Sequence, residues 1–165
     1  MANRNDSFRP DKAIVNQRVP DLSELDGRDI AQWAGHIAGA LVFNDRLKTH
    51  QLRNVYSAIE RIRVKYQRQQ GADGLAADQA KELLDELFLL LPKLAYAAGR
   101  QRAVNYTLFP FLETAINGVY GADSKKRGAA FANFFSLLES VVGFHKYFEN
   151  NRSGKPYFLT SDTEK

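Results

Sequence analysis

The side chains that most often perform chemistry are sparse and widely spaced in this sequence. The 165-residue chain has no cysteine, and its three histidines, His36, His50 and His145, lie far apart. Thiol nucleophiles, disulfides, iron–sulfur clusters and cysteine-ligated zinc are therefore excluded. No two of the histidines have the spacing of a helical zinc site.

Four carboxylates on one predicted helix come nearest to a metal site. Asp78, Glu82, Asp85 and Glu86 share a face, as in a di-metal carboxylate site, but such a site also needs Glu-x-x-His pairs, which are absent. We interpret these acids as a solvated helix start that complements the helix dipole. The nucleophile elbow, the phosphate-binding glycine loop, the dinucleotide fingerprint and the calcium loop are missing too. We expect no catalytic activity, no metal and no cofactor.

Positive charge is concentrated in two stretches of a mildly basic chain, whose net charge is +4. Residues 46–68 carry seven Lys and Arg against Glu60 alone, and residues 99–127 carry five against two acids. Between them, residues 69–98 carry five acids against two bases. This distribution favours a polyanionic partner over charge that serves only solubility.

Three basic clusters in these stretches are suited to phosphate. On the second predicted helix, basic residues project opposite the apolar stripe, and Glu60 alone cannot neutralise them. Around Gly99, Arg100 and Arg102 precede a helix start with free N–H groups. Three cations open the last helix, where the dipole disfavours them, and ordinary solubility explains this triplet equally well. No base-reading motif is present, so we expect little sequence preference. The cations opposite the stripe are Arg53, Arg61, Lys65 and Arg68, and the triplet is Lys125, Lys126 and Arg127.

The elements that must position these residues are helices, because no stretch sustains a two-residue alternation. Thr49 is the predicted N-cap of the second helix. The third becomes apolar on all sides at 87–91, which predicts a central position, and Pro92 predicts a kink or short break. We predict an all-α, single five-helix bundle with mostly antiparallel neighbours. The helical patterns cover residues 27–43, 49–68, 77–98, 103–120 and 124–149.

Both ends of the chain lack helical periodicity. We expect a flexible N-terminal arm over residues 1–24, the bundle over 25–149 and a C-terminal tail over 150–165. The start has no apolar secretory core, and no apolar run approaches the roughly 20 residues of a membrane span. We therefore expect a cytoplasmic location.

Three segments carry motifs that together point to one protein family. They are 47–56 (LKTHQLRNVY), 90–100 (LLPKLAYAAGR), and the pair of motifs FF at 134–135 and VVGFHKY at 141–147. Together they resemble the small helical subunit, of the Csm type, of type III-A CRISPR effector complexes. The PKLAYAAGR run is the most specific element, and the resemblance covers residues 45–149.

The resemblance implies a small, non-catalytic RNA-binding bundle in an antiviral ribonucleoprotein complex. Several copies would stack head to tail, opposite the backbone subunits that hold the guide RNA. The target RNA, paired with the guide RNA, would run between the two filaments, and other subunits would perform the chemistry. The implied partners are guide RNA and target RNA, the backbone and large subunits, and copies of the chain itself, with no membrane.

The resemblance also marks individual residues, because Lys48, Arg53, Lys93, Arg100 and Arg102 match basic positions of the family's motifs. Tyr96 is expected to pack, since it lies at helical spacing from leucines at 90, 91 and 94. The acidic start of the third helix is expected to face a basic patch on the next copy. The alternative function is a helical protein–protein adaptor without RNA contact. The complete set of predicted RNA-binding residues is Lys48, Arg53, Arg61, Lys93, Arg100, Arg102, Lys125, Lys126 and Arg127.

Overall fold

The computed structural model describes residues 21–151, apart from the side chain of Asn105, and the predicted all-α class is confirmed. A 3-10 turn, Leu22–Glu24, precedes the first helix. One π-helical turn, Ala40–Asn44, follows the first helix, and a second, Val104–Leu108, precedes the fourth. Residues 1–20 of the predicted arm and 152–165 of the predicted tail lie outside the described residues. The five helices are α1 (Gly27–Gly39), α2 (Thr49–Gln69), α3 (Ala77–Arg100), α4 (Phe109–Gly121) and α5 (Arg127–Asn150).

The 3-10 turn packs against the helices, although the sequence pattern places its residues in the N-terminal arm. Leu22 is fully buried, and its carbonyl accepts a hydrogen bond of 2.6 Å from Asn133 Nδ2. The same amide donates to the carbonyl of Leu25 at 3.1 Å. A Cβ at Gly118 would lie 3.3 Å from Leu22 Cδ1, so glycine permits this close approach. Among the described residues, the 3-10 turn therefore packs with the bundle.

Consecutive helices run antiparallel, as predicted. Gln51 near the start of α2 bonds to Gln101 just after α3, whereas Lys65 near the end of α2 pairs with Glu82 near the start of α3. Phe88 of α3 meets Tyr120 at the end of α4, with ring centroids 5.6 Å apart. The bundle therefore has two distinct ends. We call the end that contains residues 44–51, 100–103 and 145–151 the junction end, and the end that contains residues 22–26, 70–77 and 121–128 the opposite end.

The C-terminal helix α5 forms the centre of the bundle. It packs against α1, α2, α4 and the 3-10 turn, and buries Phe131, Phe134 and Phe148 completely. Tyr66 of α2 stacks on Phe131, with ring centroids 5.6 Å apart.

The prediction that α3 is central is wrong. It packs chiefly on α2, α4 and the turn before α4, and Leu89 in its apolar run is 67% exposed. The apolar run in α3 is only five residues long, and the first half of this 24-residue helix carries acids, so α3 cannot be buried on all sides. The α5 helix, by comparison, has buried apolar residues along its whole length.

Of the kink or short break predicted at Pro92, the break does not occur, because α3 continues through Pro92. The N-cap prediction for α2 is wrong. Lys48, not Thr49, is the N-cap of α2, and its N–H donates to Gln51 Oε1 at 2.9 Å. Pro110 is the second residue of α4. A proline is tolerated there, because the first N–H groups of a helix have no partner within it.

Candidate nucleic-acid interface

The side chain of Gln51 joins the start of α2 to the end of α3. Its Oε1 accepts the N–H of Lys48 at 2.9 Å, and its Nε2 donates to Gln101 Oε1 at 2.9 Å. Lys48 lies three residues before Gln51 and Arg53 two residues after it, while Arg100 and Arg102 flank Gln101. This hydrogen bond thus joins the two chain segments that carry four of the predicted RNA-binding residues. We call Lys48, Arg53, Arg100 and Arg102 the junction cations.

The junction cations are exposed, and their charges are largely unneutralised. Arg53 and Arg102 form no ion pair with any residue in 21–151. Arg100 contacts Tyr96, with Nη1 3.4 Å from the phenolic oxygen and Cζ 5.7 Å from the ring centroid. Because guanidinium groups bind phosphate through parallel N–H donors, this arrangement suits a polyanion.

A buried histidine fixes the loop that leads into α2. His145 Nε2 lies 2.8 Å from the carbonyl oxygen of Leu47, and its Nδ1 lies 3.6 Å from Glu149 Oε2. Burial lowers the pKa of His145, outweighing the opposite effects of the Leu47 carbonyl and Glu149. The carbonyl is an acceptor, so Nε2 carries the proton in the neutral ring.

Two further contacts hold the same loop. The Thr49 hydroxyl donates to Glu149, and this hydrogen bond lowers the pKa of the Glu149 carboxyl. Arg46 adopts a left-handed backbone (φ 55°), which allows the chain to turn sharply before α2. Beside the loop is a cavity of about 290 Å³ lined by Val42, Phe43, Arg46, Leu47, Lys48 and Glu149.

The outward face of α2 extends the cationic surface away from the junction end. Arg61 and Arg68 are exposed and have no ion-pair partner among residues 21–151. Lys65, predicted to join them, instead pairs with Glu82 at 2.5 Å and with Glu86. These bonds raise the pKa of Lys65. The neutralising acids lie on α3, so the charge count within α2 could not reveal them.

The cations at the start of α5 lie at the opposite end, separated from Lys48 by about the length of α5, roughly 36 Å at 1.5 Å per residue. Lys126 pairs with Glu24 at 2.5 Å. Arg127 Nη2 donates to the carbonyls of Tyr120 and Ala122 at 3.1 and 3.2 Å. Lys126 and Arg127 therefore already have partners within the described chain, and Arg127 satisfies carbonyls at the end of α4, whereas Lys125 has no ion-pair partner there.

Tyr96 does not pack as predicted, because its side chain is 68% exposed. The spacings to the leucines at 94, 91 and 90 are two, five and six residues, and none of these places two side chains on the same helical face. Steps of three, four and seven residues lead instead to Lys93, Pro92 and Leu89, which are all exposed.

Within residues 21–151, no group of three or more His, Asp or Glu side chains is arranged to hold a metal ion. None of the described helices combines the length and apolarity needed to cross a membrane.

The fold and the site together define a small helical bundle with an exposed cationic helix junction. The chain belongs to the Csm2 type III-A family, whose family model matches residues 24–151. The resemblance inferred from the sequence is thus confirmed, and family membership makes the chain a small subunit of a type III-A CRISPR effector complex. No curated protein and no solved structure matches it.

Proposed function

We propose that this small subunit binds the guide RNA and target RNA path of its effector complex through phosphate contacts of the junction cations. The proposal depends above all on the hydrogen bond between Gln51 and Gln101, which joins two basic segments of the chain at one end of the bundle. Arg61 and Lys93 extend this surface along α2 and α3. The subunit performs no catalysis and acts in the cytoplasm, in antiviral defence, with the backbone and large subunits.

Phosphate contacts of this kind carry no sequence information and release counterions. Their affinity falls with salt with a log–log slope of about 0.7 per contacted phosphate on single strands and about 0.9 on duplex DNA. The described bundle contains no strand on which bases could be read in the manner of an RNA-recognition sheet. We therefore expect similar affinities for unrelated sequences.

The assay is fluorescence anisotropy of a labelled RNA titrated with the full-length chain, alone and in the reconstituted complex. The titration is repeated at salt concentrations from about 50 to 300 mM, over which phosphate contacts weaken strongly. Arg53→Ala and Arg100→Ala should each lower the slope by about 0.7–0.9 and weaken binding to unrelated sequences equally. Lys81→Ala is the matched control: it also removes an exposed positive charge, but Lys81 pairs with Asp85 on the other half of α3.

Two results would contradict the proposal. One is strong discrimination between RNA sequences, and the other is an equal loss in the Lys81 control and the arginine variants. A helical adaptor without RNA contact predicts unchanged RNA affinity in every variant and loss of co-purification with the backbone subunits.

Head-to-tail stacking of copies is a second part of the proposal, and the structure changes its expected contacts. Glu82 pairs with Lys65, and Asp85 pairs with Lys81, so both acids already have partners in their own protomer. Native mass spectrometry of the complex with Glu82→Lys and Asp85→Lys tests their role between copies. A lower copy number would support that role, and an unchanged number would remove these acids from the stacking contact.

A further inference from the structure

One face of α3 presents an aromatic ring between two cations. Tyr96 is 68% exposed, Lys93 precedes it by three residues and Arg100 follows it by four. Residues at these spacings lie on the same side of a helix. The three side chains span about 10 Å of the helix axis at 1.5 Å per residue. This face adjoins the junction cations, because Arg100 belongs to both.

Arg100 also orients the ring. Its guanidinium carbon lies 5.7 Å from the ring centroid, and its Nη1 donates to the phenolic oxygen at 3.4 Å. The side chain remains mostly exposed despite this contact, so ring surface is left for a further partner. Surfaces that bind single-stranded nucleic acid combine such aromatic platforms with a cationic track for the backbone.

We propose that Tyr96 stacks on an unpaired nucleobase of the bound RNA, while Lys93 and Arg100 contact the phosphates on either side. This inference rests on the proposed function. It adds a contact that charge alone does not provide, because a phenol ring neutralises no phosphate. Stacking is tolerant of sequence, since every base has a π face, so it preserves the lack of sequence preference.

The decisive comparison is between slope and intercept in the salt series. Tyr96→Ala removes no charge, so the slope of log affinity against log salt should equal that of the unmodified chain. The affinity itself should fall by about 5–150-fold on single-stranded RNA, which corresponds to the loss of one stacked base. Tyr96→Phe keeps the ring and should bind within about twofold of the unmodified chain, as the stacking argument requires.

The probes are a single-stranded RNA that carries one 2-aminopurine and a blunt, fully paired RNA duplex of the same length. Stacking quenches 2-aminopurine, so the full-length chain should quench the single strand, and Tyr96→Ala should abolish the quenching. The duplex has no unpaired base, so its affinity should be the same for the two proteins. Tyr120→Ala is the matched control, because Tyr120 is 61% exposed and lies near the opposite end of the bundle.

The results separate this inference from the proposed function. Salt-dependent RNA binding that Tyr96→Ala leaves unchanged would overturn the inference and leave the phosphate contacts in place. An equal loss on the duplex, or in the Tyr120 control, would also overturn it. Absence of salt-dependent binding by the full-length chain, alone and in the complex, would overturn the proposed function itself. Loss of complex assembly by Tyr96→Ala with unchanged RNA affinity would assign the ring to a protein contact.

Discussion

Replacing His145 should weaken the bundle, and the structure gives the expected magnitude. The imidazole is buried, and its Nε2 donates to the Leu47 carbonyl at 2.8 Å. His145→Leu puts an apolar side chain of similar size in place of the imidazole and leaves that carbonyl without a partner. An unsatisfied buried polar group costs about 1–3 kcal/mol. For a chain of this size, we expect a fall in melting temperature of about 2–4 °C per kcal/mol.

The same residue should give stability a pH dependence. Burial lowers the folded pKa of His145 below its ordinary value near 6.5, so the unfolded chain binds the proton more readily. Stability is therefore fully present above about pH 6.5 and is lost as the pH falls toward the folded pKa. One such proton changes the free energy of unfolding by at most about 1.4 kcal/mol per pH unit. The charged groups that act on the ring are Glu149, which favours protonation, and Lys146, which opposes it.

The assay is urea unfolding of the unmodified chain, His145→Leu and His145→Gln at pH 7.5, 6.5 and 5.5, a range set by the imidazole pKa. A glutamine amide can still donate to the Leu47 carbonyl but does not titrate, so His145→Gln should retain most of the stability and lose this pH dependence. All other titratable residues are common to the three proteins, so the comparison isolates position 145. Parallel pH curves for all three proteins, or a His145→Leu variant as stable as the unmodified chain, would refute the reasoning.

Three further predictions concern the contacts that define the bundle. Leu22→Ala should lower the free energy of unfolding in urea by about 2–5 kcal/mol, because the side chain is fully buried. An unchanged free energy of unfolding would mean that Leu22 does not contribute to the core. Gly118→Ala improves helix propensity by about 1 kcal/mol, but its Cβ would press on Leu22, so it should stabilise the Leu22→Ala variant more than the unmodified chain; equal effects would argue against the close approach. Arg127→Ala should lower the melting temperature, because two carbonyls after α4 lose a donor, whereas Lys125→Ala should not change it; equal shifts would contradict the capping role.

Local periodicity predicts the helices because each amphipathic stripe is written within a few turns of chain. The predicted starts at residues 27, 49 and 77 match α1, α2 and α3, and the last helix begins three residues later than predicted. The 3-10 turn escaped prediction because it is only three residues long, which is too short for a helical period to be recognised. Its burial depends on Asn133 and Gly118, which are about a hundred residues away in the chain.

The candidate site shows the same division between local and long-range information. The sequence marks Arg53 and Arg100 as basic positions, but only the fold shows that the segments carrying them are joined by the bond between Gln51 and Gln101. Charge counted within one helix failed at Lys65, because its partners come from α3. The spacing around Tyr96 was readable from the sequence, because three residues from Lys93 and four from Arg100 place the ring on the same helical face as two cations.

The odd number of antiparallel helices has a practical consequence for how the protein is handled. Of the described residues, the first, Asp21, lies at the opposite end, and the last, Asn151, lies at the junction end. A fluorophore attached at residue 21 is therefore far from the junction end, whereas one attached at residue 151 is beside it. Labels at both attachment points would be separated by roughly 36 Å, the length of α5 at 1.5 Å per residue, which suits energy-transfer measurements of the assembled complex.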